Sequence, residues 1–586
     1  MKEAEMPRLV SGFAMLSLLW ACSSTTEPPN GGTGGSQVAT GGLPGTNGGS
    51  GGSSNSSGGT TNAAGGASTT AGGATSSAGT SNSTSGGSTS AVGGSTASGG
   101  STSNGGATAS GGATPGSGGS TVAGSGGAPT AGTGGAAPAE PKVVTSANGE
   151  FWKVGTLTEV TSGTADVTVN DGSKAQTWKG FGGTFNEVGW KVLSVLPEAE
   201  RTRAVKLLFD KSEGANFAYG RIPIGASDYA ISRYSLNETA GDVEMKSFSI
   251  DHDKAQLIPY IQAAIAVKPD ISFWGSPWTP PTWMKTGAQN MGWDGGSMKE
   301  DATTFQALAN YLAKFVEEYK KVGINVTGIH PQNEPGYETR YPSCLWTAGG
   351  MAQFIGEYLG PTFKAKNIGA EILLGTMSNN DAGKDGTIVS TVTGNSKAME
   401  FVKGFGFQWN MLPVVASVKS RNLTIVQTEH KCGNYHWNPA GFPAFNADKP
   451  PNDYAYGVES WGYIRDWIKA GVHVYSAWNM VLDVAGKNLD TMRPWPQNAL
   501  LVVDTNAKTL TATPAYWVFR HASQYVDPGA SVVGTSGGDA LAFKNPDGSI
   551  VAVIYNSGGA KQFTVSIGGK LQRFAMPANG FATVNL

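Results

Sequence analysis

The chain has 586 residues, a formal charge of −2, and only 14% charged residues beside 85 glycines. This near-neutral balance excludes the basic surface through which proteins bind nucleic acid or anionic lipid. The length allows more than one domain, but the composition changes so strongly along the chain that each part needs its own reading.

The first 22 residues have the pattern of an export signal. An apolar run at residues 9–20 follows Arg8 and is closed by Ala21 and Cys22. This resembles a bacterial lipoprotein signal, in which Cys22 becomes the lipidated first residue of the mature protein. A plain signal peptide with an unrelated cysteine, or a buried helix, is the alternative, and the run is too short to span a membrane. We therefore expect an exported protein, held at the bacterial cell envelope only by a lipid anchor or released from it.

Residues 23–140 predict a disordered tether. Between Ser23 and Ala139 the only charged residue is Glu27, there is no aromatic residue, and Gly, Ser, Thr and Ala supply nearly everything. Such a segment has too little apolar surface to offset the entropy lost on ordering. We expect a flexible Gly-rich linker between the signal and the folded part.

The next part alternates apolar strand-like runs with helical patterns. Helical spacing occurs at residues 197–211, 254–267, 305–319, 348–366 and 456–469. Eight repeats of strand and helix predict an α/β fold, a (β/α)8 TIM barrel over residues 178–499, with function at the carboxyl ends of its strands. The predicted barrel strands are residues 178–185, 217–224, 271–276, 326–334, 371–377, 405–410, 423–429 and 472–479.

The helical period disappears from about Leu500, and strand patterns follow. Residues 540–544, 550–555, 563–567 and 581–586 predict strands, with residues 545–548 (Asn-Pro-Asp-Gly) as a hairpin turn. Residues 500–586 are therefore predicted to form a small appended β-sandwich. Residues 141–177 are expected to add its leading strands, with a hairpin signal at residues 170–172 (Asn-Asp-Gly).

Two predicted barrel strands end in glutamate. The fourth leads into Asn333, Glu334 and Pro335, and the seventh ends at Glu429. Carboxylates at the carboxyl ends of two barrel strands can converge over one mouth, and glycoside hydrolysis needs such a pair. The sequence shows no cluster with metal-ligand spacing, so we expect neither metal nor cofactor.

Several short motifs stand in order along the predicted strands. They are Gly-Phe-Gly-Gly at 180–183, Gly-Arg-Ile-Pro-Ile at 220–224, Ser-Asp-Tyr at 227–229, Ser-Pro-Trp-Thr-Pro-Pro at 276–281, Gln-Asn-Glu-Pro at 332–335, Thr-Glu at 428–429, Ala-Trp-Asn at 477–479 and residues 521–528 in the predicted sandwich. This set resembles glycoside hydrolase family 30, most closely its glucosylceramidase-like branch, from about Gly180 to the C-terminus. The resemblance implies a retaining β-glycoside hydrolase acting on β-glucosidic linkages of an oligo- or polysaccharide such as β-1,6-glucan, or of a glucosylceramide-like glycolipid. We expect the protein to be a monomer.

The resemblance also implies roles for the two acids and their neighbours. Glu334 corresponds to the general acid/base, Glu429 to the nucleophile, and Asn333 to the partner of the sugar 2-hydroxyl, with a loop-capping role as its alternative. Arg221 is expected to hold Glu429 ionised, unless it forms an ordinary ion pair between strands. Asp228 is expected to accept distal sugar hydroxyls, unless it is a turn aspartate.

Further substrate contacts are expected from side chains at other strand ends. Trp278 and Trp478 offer flat faces to a pyranose, although tryptophan is more often a core residue. The remaining expected substrate contacts are Trp409, Asn410 and Asn479.

One departure from the branch limits what can be transferred from it. The branch carries His-Trp-Tyr at the end of strand six, where this chain has Gln408, Trp409 and Asn410, so the tyrosine that supports the nucleophile is absent. Substrate preference therefore stays open. An endo-xylanase of the same family and an inactive carbohydrate-binding surface lipoprotein are the alternatives.

Three residues besides these invite a structural explanation. Cys344 and Cys432 each follow one of the two glutamates, and two free buried thiols are the default, with a disulfide as the alternative. His330, in strand four, is expected to be a buried, hydrogen-bonded residue rather than a base.

Overall fold

The computed structural model describes residues 142–378, 382–433, 452–489 and 497–586. The predicted signal, its Cys22 and the tether lie outside these residues. Within them, no helix combines the length and the hydropathy that a membrane span requires.

Four strands precede the barrel and belong to the C-terminal β-domain. They are β1 (Val143–Ala147), β2 (Glu150–Val154), β3 (Thr158–Val160) and β4 (Val167–Thr177). The predicted hairpin at Asn170 is wrong, because β4 runs through it. Asn170 lies opposite Gly534 and Lys174 opposite Val533, so residues 171–173 form a bulge in a continuing strand. The turn-prone Asn-Asp-Gly sequence bends the strand without reversing it.

Eight parallel strands close into a barrel, which confirms the predicted fold class. Nearly all their residues are buried, and this explains why they read as apolar runs. The barrel strands are β5 (Gly180–Thr184), β6 (Tyr219–Pro223), β7 (Ser272–Ser276), β10 (Val326–Ile329), β11 (Glu371–Met377), β12 (Val402–Gln408), β13 (Thr424–Glu429) and β14 (Val474–Asn479), and a small hairpin of β8 (Lys285–Thr286) and β9 (Ser297–Met298) lies over the β7 end. Strand β10 stops five residues before Glu334, earlier than predicted, so Glu334 lies on irregular backbone beyond the strand.

The helices lie between the strands, as the alternation predicts. In α4, for example, Asp301 caps the first turn by accepting a hydrogen bond from the Thr304 backbone N–H, and Phe305, Leu312 and Phe315 are buried. The helices are α1 (Glu187–Leu193), α2 (Glu198–Phe209), α3 (Leu257–Val267), α4 (Ala302–Lys321), α5 (Ala348–Gln353), continuing through a π turn (Phe354–Leu359) into α6 (Gly360–Ala365), then α7 (Ala382–Gly394), α8 (Ser396–Phe401), α9 (Val415–Lys419), α10 (Tyr454–Ala470) and α11 (Pro514–Ser523).

Helix α11 corrects the expectation that helices end near Leu500. It follows β14 as the last helix of the strand-helix alternation, so the barrel domain continues past the predicted boundary at residue 499, and His521 lies in this helix rather than in the sandwich. Thr513 caps it and Pro514 occupies its first turn, both ordinary start signals. Its aromatic and β-branched residues, Tyr516 to Phe519, have strand propensity and hid the pattern.

The C-terminal strands complete the β-sandwich. The strands after the barrel are β15 (Val481–Asp483), β16 (Leu501–Asp504) and β17 (Thr509–Ala512), which form a separate three-stranded sheet, then β18 (Ser531–Ser536), β19 (Asp539–Lys544), β20 (Ile550–Asn556), β21 (Lys561–Ile567), β22 (Lys570–Met576) and β23 (Gly580–Asn585). The predicted turn at residues 545–548 lies between β19 and β20. The sheet of the sandwich has the order β2-β1-β23-β20-β19-β18-β4-β21-β22-β3, so strands from both ends of the described chain share it.

His521 joins the barrel to the sandwich. Its ring nitrogens lie 2.8 Å from the hydroxyls of Thr583 and Ser146, on β23 and β1. Burial lowers the pKa of His521 to about 3, and also that of His430, which contacts Tyr475 and Ser460. Both histidines are therefore neutral in the folded protein.

We expect acid to destabilise the protein through these two histidines. An unfolded histidine titrates near pH 6.5, so between about pH 6.5 and 3 the unfolded chain binds the extra protons and stability falls with the pH. The slope is about 1.4 kcal/mol per pH unit for each histidine. The free energy of unfolding is measured with urea across this pH range. Its dependence on pH should be weaker in His521→Gln than in the wild type by about 1.4 kcal/mol per pH unit, the contribution of one histidine. His252→Gln is the control, since Glu187 raises the pKa of His252 and its removal should leave the acid slope undiminished. An unchanged slope in His521→Gln would contradict the assignment.

Candidate active site

Arg221 lies at the centre of the barrel mouth and joins two other predicted site residues, Glu429 and Asn333. It is the middle residue of β6 and is fully buried. Its Nη1 donates to Oε2 of Glu429 and its Nη2 to Oδ1 of Asn333, both at 2.6 Å. Its Nε and Nη2 also reach the hydroxyl of Ser276, at 3.3 and 3.2 Å. One guanidinium thus fixes side chains from the ends of three other strands or the loops that follow them.

Aromatic rings surround the same cation. The guanidinium carbon of Arg221 lies 4.2 Å from the ring centroid of Trp278, 5.2 Å from that of Trp274 and 5.5 Å from that of Trp478. Trp278 and Trp478 stack on each other with centroids 5.4 Å apart, and they are only 2% and 4% exposed. They shield Arg221 from water, while their predicted contact with a sugar stays a prediction.

Glu429, the last residue of β13, is a buried carboxylate beside this cation. Burial raises the pKa of Glu429, Arg221 lowers it, and the negative charges of Glu334 and Asp228 raise it again. Two neighbouring acids of this kind share one proton near neutral pH. The contact of Arg221 with Oε2 of Glu429 at 2.6 Å favours the arrangement in which Glu429 is ionised and Glu334 holds the proton.

Glu334 is placed by unusual backbone geometry. Its φ of +48° lies in the left-handed region, which is rare for residues other than glycine and is concentrated at functional sites. Its backbone N–H donates to the Thr376 carbonyl at 2.8 Å, and the Tyr341 hydroxyl donates to its Oε2 at 2.7 Å. The Glu334 carboxylate is thus aimed by a strained backbone and by one tyrosine.

We expect Tyr341→Phe to impair acid catalysis selectively. Without the hydroxyl, Glu334 loses the donor that orients it, so kcat should fall roughly tenfold for glucosides with poor leaving groups. Aryl glucosides with strongly acidic phenols need little protonation and should lose less than about twofold. Comparing kcat across a series of aryl β-glucosides measures this, and an equal loss for all leaving groups would contradict the orienting role. Tyr555→Phe, which removes a hydroxyl that donates to Asn579 in the β-sandwich, is the control.

Asn333 is held in one amide orientation. Its Oδ1 accepts from Arg221 Nη2, from Thr376 Oγ1 at 2.6 Å and from Gln408 Nε2 at 3.3 Å. Arginine only donates, so the atom facing it must be the amide oxygen. The amide nitrogen of Asn333 is therefore the group left to donate to a ligand.

The structure adds four residues that the sequence did not single out for the site. Thr376 on β11 and Gln408 on β12 bind the Asn333 oxygen, Ser276 on β7 accepts from Arg221, and Tyr341 donates to Glu334. Each stands at or beyond the carboxyl end of a barrel strand, which is the one sequence signal that could have found them.

The other predicted substrate residues also lie around the mouth. Asp228 is buried, its charge raises the pKa of Glu429, and its backbone carbonyl accepts from the Leu489 N–H at 2.7 Å. Trp409 and Asn410 are half-buried after β12, and the Trp409 N–H donates to the Glu429 carbonyl at 3.0 Å.

Asn479 is already engaged within the wall of the barrel. Its Oδ1 accepts from Asn186 Nδ2 and its Nδ2 donates to Gln497 Oε1, each at 3.0 Å. The same Gln497 oxygen accepts from the Trp478 indole at 2.9 Å. Asn479 therefore braces Trp478 through Gln497, and its own contact with substrate stays a prediction.

His330 and the cysteines are structural. His330 is buried as predicted, but neither ring nitrogen has a hydrogen-bond partner among the described residues; instead the ring packs 4.3 Å from Trp274. Burial and the charge of Arg221 hold its pKa well below the usual value, so it is neutral. Cys344 and Cys432 form no disulfide, which confirms the default expectation of two thiols, although only Cys344 is fully buried and Cys432 is half-buried. Burial raises the pKa of Cys344 to about 12.

A closed parallel barrel with two glutamates at or beyond the carboxyl ends of its strands, one of them bonded to a buried arginine, is the arrangement expected of a barrel-class glycoside hydrolase. The family model of the glycosyl hydrolase family 30 TIM-barrel domain matches residues 178–526, and that of the family's beta sandwich domain matches residues 529–584. The chain belongs to glycosyl hydrolase family 30, and it is a glycoside hydrolase.

Two relatives with similar sequences are a putative glucosylceramidase and an endo-1,6-beta-D-glucanase. Putative glucosylceramidase 1 of Caenorhabditis elegans is 29% identical over 430 residues, covering 68% of this chain and 77% of the relative. An endo-1,6-beta-D-glucanase of Neurospora crassa is 25% identical over 422 residues, covering 69% and 84%. Among solved structures, SrfJ from Salmonella typhimurium superimposes with a TM-score of 0.66 at 22% identity, over 76% of this chain and 98% of that one, which supports the fold.

Proposed function

We propose that this chain is a retaining β-glycosidase that cleaves β-glucosidic linkages by double displacement, with Glu429 as nucleophile and Glu334 as acid/base. The observation that carries this proposal is the contact of Glu429 with the buried guanidinium of Arg221 at 2.6 Å. A charged partner favours the ionised form that a nucleophile needs. The neighbouring acid is Glu334, whose charge acts on Glu429 and whose Oε2 accepts from the Tyr341 hydroxyl at 2.7 Å.

In the first step the ionised carboxylate of Glu429 attacks the anomeric carbon. The bond to the leaving oxygen breaks, and that oxygen takes the proton of Glu334, which leaves a glucosyl ester on Glu429 and an ionised Glu334. The Asn333 amide nitrogen is placed to donate to the 2-hydroxyl as positive charge develops on the sugar ring. This hydrogen bond strengthens toward the transition state.

In the second step water replaces the leaving group. Once Glu429 is esterified its charge is gone, so Glu334 no longer faces a second carboxylate and is free to remove a proton from the water. The water oxygen attacks the anomeric carbon, the ester bond breaks, and Glu334 regains its proton. Two inversions at the anomeric carbon give net retention. After both steps Glu429 is ionised and Glu334 is protonated again, and one water has been consumed.

The proposed sugar is glucose in β-linkage. The relatives named above are a putative glucosylceramidase and an endo-1,6-beta-D-glucanase, so one name specifies a glucosyl unit on ceramide and the other a β-1,6-linked glucan. In this chain the residues proposed to surround the glucosyl unit are Glu334, Glu429, Asn333 and Arg221. We propose β-1,6-glucan-type saccharides as the substrate class, with glucosylceramide-like glycolipids as the second candidate.

The proposed location of the protein is argued from its sequence alone. We infer export and lipid anchoring at Cys22 from the pattern at residues 9–22. Detergent-phase partitioning of the wild type and Cys22→Ala would separate an anchored enzyme from a released one.

Product analysis on matched substrates tests the proposal. The full chain is incubated with β-1,3-, β-1,4- and β-1,6-linked glucans, glucuronoxylan and glucosylceramide, with Glu429→Gln as the blank. Release of glucose or glucooligosaccharides, highest from the β-1,6-glucan, supports it. Cleavage of glucuronoxylan alone would replace it by the xylanase alternative. Binding of glucan with equal inactivity of wild type and variant would indicate a carbohydrate-binding protein.

A further inference from the structure

Gln408 connects the two side chains proposed to contact the sugar at its reacting carbon and at its 2-hydroxyl. Its Nε2 lies 3.3 Å from Oε2 of Glu429 and 3.3 Å from Oδ1 of Asn333. It is the last residue of β12, it is 1% exposed, and it lies opposite Glu429 just after an irregularity in the strand register. Irregularities of this kind re-aim side chains beside active sites. The strand thus places a neutral donor between the carboxylate of Glu429 and the amide oxygen of Asn333.

The two oxygens of Glu429 are not equivalent in this arrangement. Two side-chain donors reach the carboxylate, Nη1 of Arg221 and Nε2 of Gln408, and both bond Oε2. No donor among the described residues bonds Oε1. The last torsion of a glutamate is broad and two-fold, so two donors on one oxygen fix the rotation of the carboxylate. Oε1 keeps its lone pairs for a ligand.

We propose that Gln408 is a positioning residue, which together with Arg221 anchors Oε2 of Glu429 and so makes Oε1 the attacking atom. This inference rests on the proposed function. In the first displacement the new bond joins Oε1 to the anomeric carbon while the leaving oxygen takes the proton of Glu334. Oε2 becomes the carbonyl oxygen of the ester and keeps both donors. In the second displacement those donors stabilise the charge that returns to the departing carboxylate.

A glutamine suits this position because it donates without titrating. Its N–H stabilises the ionised form of Glu429 over the protonated form at every pH, and it adds no charge to a site that already contains Arg221. Removing the donor therefore raises the pKa of Glu429. Activity requires the ionised form, so the acid limb of the kcat/KM profile must move to higher pH when Gln408 is replaced by a residue that cannot donate.

The test compares pH profiles of the full-length wild type and Gln408→Leu on an aryl β-glucoside. We expect kcat to fall roughly 10- to 100-fold, KM to change less than about threefold, and the acid limb to move up by about half to one pH unit. Gln427→Leu is the control. Gln427 is equally buried, but its side chain contacts the backbone of Glu429 and Ser476 and not the carboxylates. It should lower the unfolding midpoint and leave the acid limb in place.

A second variant covers the case in which Gln408→Leu does not fold. Gln408→Glu keeps the shape, donates while protonated, and repels Glu429 once ionised. Its alkaline limb should move to lower pH. An active wild type with limbs unmoved in a folded Gln408→Leu or Gln408→Glu would overturn the positioning role alone. A wild type inactive on all β-glucosides would overturn the proposed function instead.

Discussion

Glu429→Gln should lose on the order of 10⁴-fold in kcat on β-glucosides while remaining folded. Glutamine has the same shape, and its amide oxygen can still accept from Arg221 where Oε2 does now, at 2.6 Å. It carries no negative charge and cannot form the glucosyl ester, so the first displacement stops. Initial rates on an aryl β-glucoside and the thermal midpoint measure the two effects. A variant with more than about one hundredth of wild-type activity would contradict the role of Glu429.

Azide rescue would separate the roles of the two glutamates. In Glu429→Ala, azide can enter the space of the missing side chain and attack the anomeric carbon once, which gives the α-glucosyl azide. In Glu334→Ala the ester still forms from an activated aryl glucoside, and azide then attacks from the opposite side, which gives the β-azide. NMR spectra of the two products test both assignments, and exchanged anomers would reverse them.

The fold was largely predictable because the barrel strands carry their own signal. Strands such as β7, β11 and β14 are buried almost throughout, so their apolar runs stand out from the polar loops. Elements whose local sequence opposes their structure were missed or misread. Helix α11 consists largely of residues with strand propensity, and Asn170-Asp171-Gly172 has turn chemistry inside the continuing strand β4. Tertiary packing decides both cases.

The two acids were predictable from position, whereas the contacts that tune them were not. Glu334 and Glu429 follow strands in the sequence, and the barrel principle alone brings such ends together. Gln408 and Thr376 are ordinary polar residues, and their function arises only because the closing of the barrel points both at the oxygen of Asn333. Side-chain direction at a strand end depends on local register, as the irregularity before Gln408 shows.

Arg221→Met should be the most destabilising single substitution in the site. Arg221 is fully buried and bonds Glu429 and Asn333, so methionine fills part of the volume but leaves Glu429 without its counter-charge. Removing one partner of a buried ion pair typically costs about 3–5 kcal/mol of unfolding free energy. The acid limb of any residual activity should also move to higher pH, because Arg221 lowers the pKa of Glu429. Chemical unfolding at pH 7 measures the stability change.

A double-mutant cycle shows whether that loss comes from the stranded charge. In Arg221→Met combined with Glu429→Gln the carboxylate that bonded Arg221 is gone, so the double variant should be more stable than Arg221→Met alone by about 1–3 kcal/mol. Arg465→Met is the control, since its ion pair with Asp539 is partly exposed at 26% and 30% and should contribute less than about 1 kcal/mol. If the double variant were no more stable than Arg221→Met, the loss would come from packing against Trp278 and Trp478. The guanidinium would then be needed for the shape of the mouth rather than for the charge of its nucleophile.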